Sequence, residues 1–214
     1  HVGSLSGNVI KSTDEIIKTL KPKRVFLHDL FDGVSCNPHS STHYLSKAKF
    51  SLKQLSIEEE LKMVKEYLMD MKSKHPHVNE WIVVRSNHDL FLDRFLDSGE
   101  YIKDPINSRI CHKLATLKLD GKMPLQEGLK LVGLNEAKIK FLNINDSYRI
   151  VGIEHGVHGH LGLNGQRNPG NSSLEIAYGA GTFGHSHSAG ILRDVFRVGT
   201  STEMRLGYNN GASS

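Results

Sequence analysis

The sequence has little that would build a cross-linked, secreted or membrane-spanning protein. Its 214 residues include only two cysteines, Cys36 and Cys111, which are far apart and form no Cys-x-x-Cys pair. We therefore expect neither a disulfide framework nor a zinc–thiolate site. No apolar run approaches the roughly 18 residues of a membrane-spanning helix, and the first residues do not have the pattern of a signal peptide. These absences predict a cytoplasmic protein with no membrane partner.

The composition that remains is that of a soluble globular domain. The chain is 38% hydrophobic and 23% charged, and its formal net charge is +4. These values fit one domain over residues 1–214 and permit a polyanionic partner. The sequence begins His1-Val2-Gly3 without a Met. We therefore expect an excerpt of a longer chain, truncated at its N-terminus and also at its C-terminus.

Hydrophobic periodicity predicts alternating strands and helices. Capping boxes at Ser12–Glu15 and Ser56–Glu59 each predict a helix start. The second is followed by an apolar stripe of helical spacing that we expect to be core, namely Ile57, Leu61, Val64, Leu68 and Met71. The other predicted elements are strands at 24–30 and 80–85, a helix at 88–97, a hairpin of 138–143 with 148–154, a late strand in DVFRVGTS, and an inserted loop at 34–55.

Histidine, aspartate and asparagine recur where the predicted strands end. Since the tips of successive strands in an open α/β sheet gather at one edge, these residues can converge. Nitrogen and carboxylate ligands without thiolates suit Mn, Fe, Zn or similar divalent ions. The residues concerned are Asp29, Asp32, Asn87, His88, Asp89, His155, His158, His160, His185 and His187.

Each of these groups has an ordinary interpretation when it is taken alone. Asn87-His88-Asp89 would serve as a helix N-terminus, Asp29 and Asp32 would sit in a solvated loop, and a lone His-x-His arises by chance. Their order and spacing together carry more information. Asp29-x-x-Asp32, Asn-His-Asp, His-Gly and Gly-His-x-His follow one another along the chain.

This order resembles the calcineurin-like metallophosphoesterase family over nearly the whole chain. Family members carry, in order, Asp-x-His, Gly-Asp-x-x-Asp, Gly-Asn-His followed by Asp or Glu, His-Gly, and Gly-His-x-His. The last four appear here as HDLFD at 28–32, SNHD at 86–89, HG at 155–156 and GHSH at 184–187. His28 and Ser86 replace glycines of the pattern without deleting a ligand. His1 matches the first element only in part, or belongs to a leftover tag.

The resemblance implies a fold, a metal centre and a set of residue roles. The implied fold is α/β, a four-layer α-β-β-α sandwich. The implied cofactors are two divalent metal ions, Mn²⁺ before Mg²⁺, Fe²⁺ or Zn²⁺, and Asp29 would bridge them. The implied ligands are His1 and His187 for one ion, and Asn87, His155 and His185 for the other. His88 would act on the phosphate, Asp89 would orient His88, and Asp32 would support the site.

The same resemblance implies hydrolysis of phosphodiester bonds. GHSHSAGILRDVFRVGTST is similar to phage-encoded metallophosphoesterases, and basic residues in two predicted loops, Lys47, Lys49 and Arg167, would contact DNA. DNA is therefore the expected partner, and a homo-oligomer is open. Two alternatives stay open: a phosphatase or phosphodiesterase for a small nucleotide or phosphoprotein, and an inactive metal- or nucleic-acid-binding module.

Overall fold

The protein has a mixed α/β fold with two sheets. The computed structural model describes residue 2 and residues 5–37 and 56–202. Within those ranges the α-helices are α1 (Gly7–Leu20), α2 (Ile57–Lys74), α3 (Asp89–Ser98), α4 (Ser108–Leu119), α5 (Pro124–Leu131) and α6 (Asn171–Tyr178). The strands are β1 (Arg24–His28), β2 (Glu80–Val84), β3 (Ile139–Leu142), β4 (Arg149–Ile150), β5 (Ile153–Glu154), β6 (Gly181–Phe183), β7 (Gly190–Leu192) and β8 (Val195–Arg197).

The first sheet is parallel and has the order β1-β2-β3. Its central strand β2 is buried on both faces, as its apolar sequence predicts. Trp81 and Val83 pack on the side of the helices, whereas Ile82 and Val84 pack with Leu142 on the opposite face. Because β1 and β2 are parallel neighbours, the residues that follow them lie at one edge of the sheet.

The predicted helix with the apolar stripe is confirmed as α2. Ser56 Oγ accepts a hydrogen bond from the Glu59 backbone N–H at 3.4 Å. All five stripe residues are buried, and fully burying such a side chain stabilises a fold by about 1.5–3 kcal/mol. The capping box and the stripe thus predicted both the start and the buried face of this helix.

The first helix begins earlier than the sequence predicted. It starts at Gly7, so Ser12 lies inside it and caps nothing. Of its residues only Ile17 is buried. Helix α1 also makes a polar contact with the rest of the fold. Asp14 Oδ1 lies 2.9 Å from Nε2 of His75, a fully buried residue that follows α2. The hydrogen bond from His75 lowers the pKa of Asp14.

The predicted hairpin of 138–143 with 148–154 is wrong. β3 pairs in parallel with β2, while β4 pairs with β5 across the turn at Val151 and Gly152. Between β3 and β4 the Asn143 backbone N–H donates to Asp146 Oδ2 at 2.8 Å. This turn takes the chain from the first sheet to the second instead of folding it back on itself.

The second sheet is mixed and has the order β4-β5-β6-β8-β7. Its core joins Leu174 of α6 to Phe183 and Val195 of the sheet. The late strand predicted in DVFRVGTS is confirmed as β8. In the part of the chain that the structure describes, no helix is both long and apolar enough to cross a membrane.

Candidate metal centre

Three polar side chains from distant parts of the sequence meet at one point. His158 Nε2 lies 3.1 Å from Asn87 Oδ1 and 3.3 Å from Asp29 Oδ2. Asp29 follows β1 and Asn87 lies shortly after β2, so the parallel pairing of these strands brings both to the same edge. The His158 side chain is fully buried. A carboxylate, an amide oxygen and an imidazole therefore share one buried corner.

The backbone of the second sheet holds His158 in this position. Its carbonyl oxygen accepts hydrogen bonds from the backbone N–H groups of Gly184 and His185, both at 3.0 Å. These two residues follow β6 directly. Gly159 has φ 91° and packs on Phe183, where a Cβ would lie 2.9 Å from Phe183 Cβ. The His-Gly pair at 158–159 is thus fixed against the Gly-His-x-His segment.

Asp29 adopts a backbone conformation that is uncommon for residues other than glycine. Its φ is 53°, in the left-handed region that Asp and Asn visit more readily than most residues. Such conformations cost roughly 1–3 kcal/mol and cluster at functional sites. The strain coincides with the sharp change of direction that places this carboxylate beside His158.

Three histidines close to His158 have a strongly lowered pKa, namely His28, His160 and His185. Burial, with the nearby His158, lowers the pKa of His28 to about 3. Burial and the same neighbour lower the pKa of His160 and of His185 to about 4. These three imidazoles are therefore neutral at physiological pH, which is the form that binds a metal ion.

His185 is also held by a loop residue that the sequence did not single out. Its Nε2 lies 2.6 Å from Asn168 Oδ1. Its ring centroid lies 5.2 Å from that of His158. His187 lines a cavity of about 210 Å³ together with His28 and Asp29. The structure thus brings both histidines of the Gly-His-x-His segment to the neighbourhood of Asp29.

His88 lies beside this corner and is oriented by Asp32. Its Nδ1 is 3.0 Å from the Asp32 carbonyl oxygen and 3.6 Å from Asp32 Oδ1. Burial acts to lower the pKa of His88, but the hydrogen bonds that His88 donates to Asp32 and the charge of Asp29 outweigh it, and the pKa is raised. His88 therefore carries a proton more readily than an ordinary histidine.

The resemblance implied that Asp89 orients the His88 ring, but in the structure Asp89 is hydrogen-bonded to Ser86. Asp89 Oδ2 instead accepts a hydrogen bond from the Ser86 backbone N–H at 2.7 Å, and Ser86 Oγ accepts one from the Asp89 N–H at 3.2 Å. This reciprocal pair closes the turn that starts α3. Burial raises the pKa of Asp89 to about 7. Asp89 shapes the loop that carries Asn87 and His88, and Asp32 orients the His88 imidazole.

His155 contacts residues other than those with which the resemblance groups it. Its Nδ1 is 2.8 Å from Thr182 Oγ1, and its ring stacks on Phe26 with the centroids 5.0 Å apart. The neighbouring Glu154 carboxylate accepts hydrogen bonds from the Tyr148 and Gly156 N–H groups at 2.9 and 2.7 Å. The His155 ring thus faces Phe26 of β1, whereas His158 lies beside Asp29 and Asn87.

The remaining predicted residues are exposed or lie outside the described ranges. Arg167 is exposed on the loop before α6. His1, Lys47 and Lys49 lie outside the described residues. The structure also shows two functional candidates that the sequence did not single out, His28 and Asn168. For His28 the available signal was the replacement of a glycine in the Gly-Asp-x-x-Asp pattern.

The corner has the donor chemistry of a metal site without a complete ligand set. Among residues 2, 5–37 and 56–202, no three His, Cys, Asp or Glu side chains are arranged to hold a metal ion. Asn87 also contributes an amide oxygen to the corner, but asparagine is not one of these four residue types. Asp29 and Asn87 supply the oxygen donors, and neutral imidazoles surround them. Oxygen and nitrogen donors of these types are ones that Mn²⁺ and Zn²⁺ bind in proteins.

Comparison with known proteins points to a phage protein. The chain is 34% identical over 212 residues to Protein A1 of Escherichia phage T5. That alignment covers 93% of this chain and 37% of the phage protein, so the chain spans little more than a third of the length of the curated relative it matches. No family model matches the sequence, and no solved structure matches it.

Proposed function

We propose that this protein is a metal-dependent phosphoesterase that hydrolyses phosphodiester bonds, with DNA as its substrate. The observation that carries the proposal is the meeting of Asp29, Asn87 and His158, with His88 beside them on Asp32. The two sheets and six helices of the described residues are compatible with the four-layer α-β-β-α sandwich of the metallophosphoesterases, which is part of the proposal.

The proposed ligands are drawn from five segments of the chain. They are Asp29, Asn87, His158, His185 and His187, with His1 retained from the sequence pattern. When bound, two divalent cations would generate a hydroxide at neutral pH and offset the charge that develops on the phosphate. Asp29 would help to hold both ions, because its carboxylate has two oxygens and each of them can serve as a ligand.

His88 is the proposed proton donor to the leaving oxygen. Asp32 engages its Nδ1 at 3.0 Å and thereby fixes the plane of the imidazole. We assign the donated proton to Nε2, the nitrogen on the other side of the ring. The raised pKa of His88 favours the protonated form that a general acid needs, and a positioned acid of this kind contributes about 10²–10⁴-fold to the rate.

DNA is favoured over other phosphodiesters by resemblance and by charge. The chain resembles phage-encoded metallophosphoesterases and the pre-early deoxyribonuclease of large virulent coliphages, which would act in the host cytoplasm. The net charge of +4 and the exposed Arg167 add attraction for a phosphate backbone. Lys47 and Lys49 are proposed to act in the same way.

The test is a comparison of substrates in the presence of Mn²⁺. Linear DNA, supercoiled plasmid and p-nitrophenyl phosphate mono- and diesters are incubated with the unchanged protein and with Asp29→Asn. We expect cleavage of DNA and of the diester, lost on chelation and in Asp29→Asn. Turnover of the monoester with inert DNA would replace the nuclease by a phosphatase, and binding of DNA without any turnover would reduce the protein to a binding module.

A further inference from the structure

His28 is a histidine that the proposed chemistry does not use. It is the last residue of β1, directly before Asp29. It is partly buried, and part of its surface faces the cavity that Asp29 and His187 also line. Its Nδ1 lies 3.4 Å from Nδ1 of His158, and the two ring centroids are 5.5 Å apart. His28 therefore contacts the proposed ligand His158 at Nδ1, on the side of the ring opposite Nε2.

The His158 imidazole is engaged at both of its nitrogens. Nε2 faces Asn87 Oδ1 and Asp29 Oδ2, while Nδ1 faces His28. A ring held only at Nε2 can rotate about its Cβ–Cγ bond and carry that nitrogen away from the oxygens. The second contact, on the opposite side of the ring, opposes this rotation.

The space that the His28 side chain occupies depends on the absence of a side chain at Gly184. A Cβ at Gly184 would lie 2.5 Å from His28 Cγ and 2.6 Å from His28 Cβ. The absence of a side chain at Gly184 thus lets the β6 end, which also binds the His158 carbonyl oxygen, close directly onto the His28 ring. Gly184 therefore allows two contacts with His158: the backbone hydrogen bond to its carbonyl oxygen and the contact of His28 with its imidazole.

We propose that His28 is a positioning residue that holds the His158 imidazole with Nε2 directed at Asp29 and Asn87. An imidazole suits this position because each of its nitrogens can donate or accept, according to the tautomer. His28 can thus accept from His158 Nδ1–H when His158 presents the bare Nε2 of a metal ligand, and can donate to Nδ1 when Nε2 carries the proton. Its importance for metal binding rests on the proposed function, whereas its hold on the ring does not.

The test compares two substitutions of His28 with a control. His28→Phe keeps a ring but removes the nitrogens, whereas His28→Asn keeps a polar group near the Nδ1 position. His75→Leu removes another buried histidine, away from the cluster. For each protein, folding is checked by circular dichroism, Mn²⁺ affinity is measured by calorimetry, and the side-chain ¹⁵N resonances of His158 are recorded without metal.

In His28→Phe we expect the His158 Nδ1 resonance to move to the position of a nitrogen without a hydrogen bond. We expect Mn²⁺ affinity to fall by about 10–100-fold, the usual effect of removing a residue that orients a ligand. His28→Asn should restore most of both signals, and His75→Leu should leave both unchanged. An unmoved Nδ1 resonance, or unchanged affinity in His28→Phe, overturns the proposal. If the unchanged protein binds no Mn²⁺, the proposed function fails, and the Nδ1 resonance still decides the role of His28.

Discussion

Replacing Gly184 by alanine should destabilise the protein through a steric clash with one residue, His28. The new Cβ would stand 2.5 and 2.6 Å from His28 Cγ and Cβ, closer than Cβ atoms come to other heavy atoms. Rotation of the His28 side chain does not move the His28 Cβ, so it cannot relieve the contact of this atom with the new Cβ at position 184. The backbone of β1 or of the loop at 184 must therefore shift. Gly184 does not have a positive φ, and the cost is therefore steric.

Overpacking of this kind costs roughly 1–3 kcal/mol. For a protein of 150–250 residues each kcal/mol lowers the melting temperature by about 2–4 °C, so Gly184→Ala should melt roughly 2–12 °C below the unchanged protein. Urea unfolding supplies the free energy directly. The matched control is Gly190→Ala, because nothing lies within 4 Å of a Cβ there and its φ is not positive.

A double-mutant cycle identifies the contact responsible. His28→Gly removes all three clashing atoms, the Cβ, the Cγ and the Nδ1 at 2.9 Å, so Gly184→Ala should cost little when it is made in the His28→Gly background. The coupling free energy should lie within the 0.5–3 kcal/mol found for residues in contact. If Gly184→Ala costs the same in both backgrounds, or costs no more than Gly190→Ala, His28 does not pack on Gly184 as described.

Three further outcomes follow from the site and its support. His88→Ala should leave Mn²⁺ affinity intact and lower DNA cleavage by about 10²–10⁴-fold; loss of the metal would make His88 a ligand. His158→Ala should weaken Mn²⁺ binding far more than His155→Ala, as measured by calorimetry, and the reverse order would restore His155 as the ligand. Asp14→Asn should lower the unfolding free energy by about 1–3 kcal/mol at neutral pH. Because folding lowers the pKa of Asp14, that difference should shrink as the pH falls from the usual carboxyl range through the lower folded value, and a constant difference would contradict the pairing with His75.

Local sequence signals predicted the elements whose boundaries are decided locally. For α2, the Ser56–Glu59 box and the apolar stripe both act within a few residues, and the structure agrees with them. The start of α1 was missed because Ser6, its N-cap residue, makes no side-chain capping bond. Helices α4, α5 and α6 were not predicted. The partners of β3 and β4 were misassigned because strand pairing depends on contacts outside the segment.

The choice between His155 and His158 shows the same limit within the site. The sequence EHGVHGH contains two His-Gly pairs, and the first was preferred because it ends a predicted strand. In the structure the second of these histidines, His158, lies beside Asp29, and its position depends on long-range contacts, among them the one with His28, which is 130 residues away in the chain. No local pattern encodes which imidazole reaches Asp29. By contrast, the tips of β1 and β2 were expected to meet because parallel neighbours share an edge.

Asp29 is the residue on which the proposed metal-dependent hydrolysis most depends. The most direct measurement is the initial rate of plasmid DNA cleavage as a function of Mn²⁺ concentration, for the unchanged protein and for Asp29→Asn, with folding of both checked by circular dichroism. We predict a rate that rises with Mn²⁺ and saturates in the unchanged protein, and no cleavage above background in Asp29→Asn. A rate that is independent of Mn²⁺, or that is equal in the two proteins, would contradict the account.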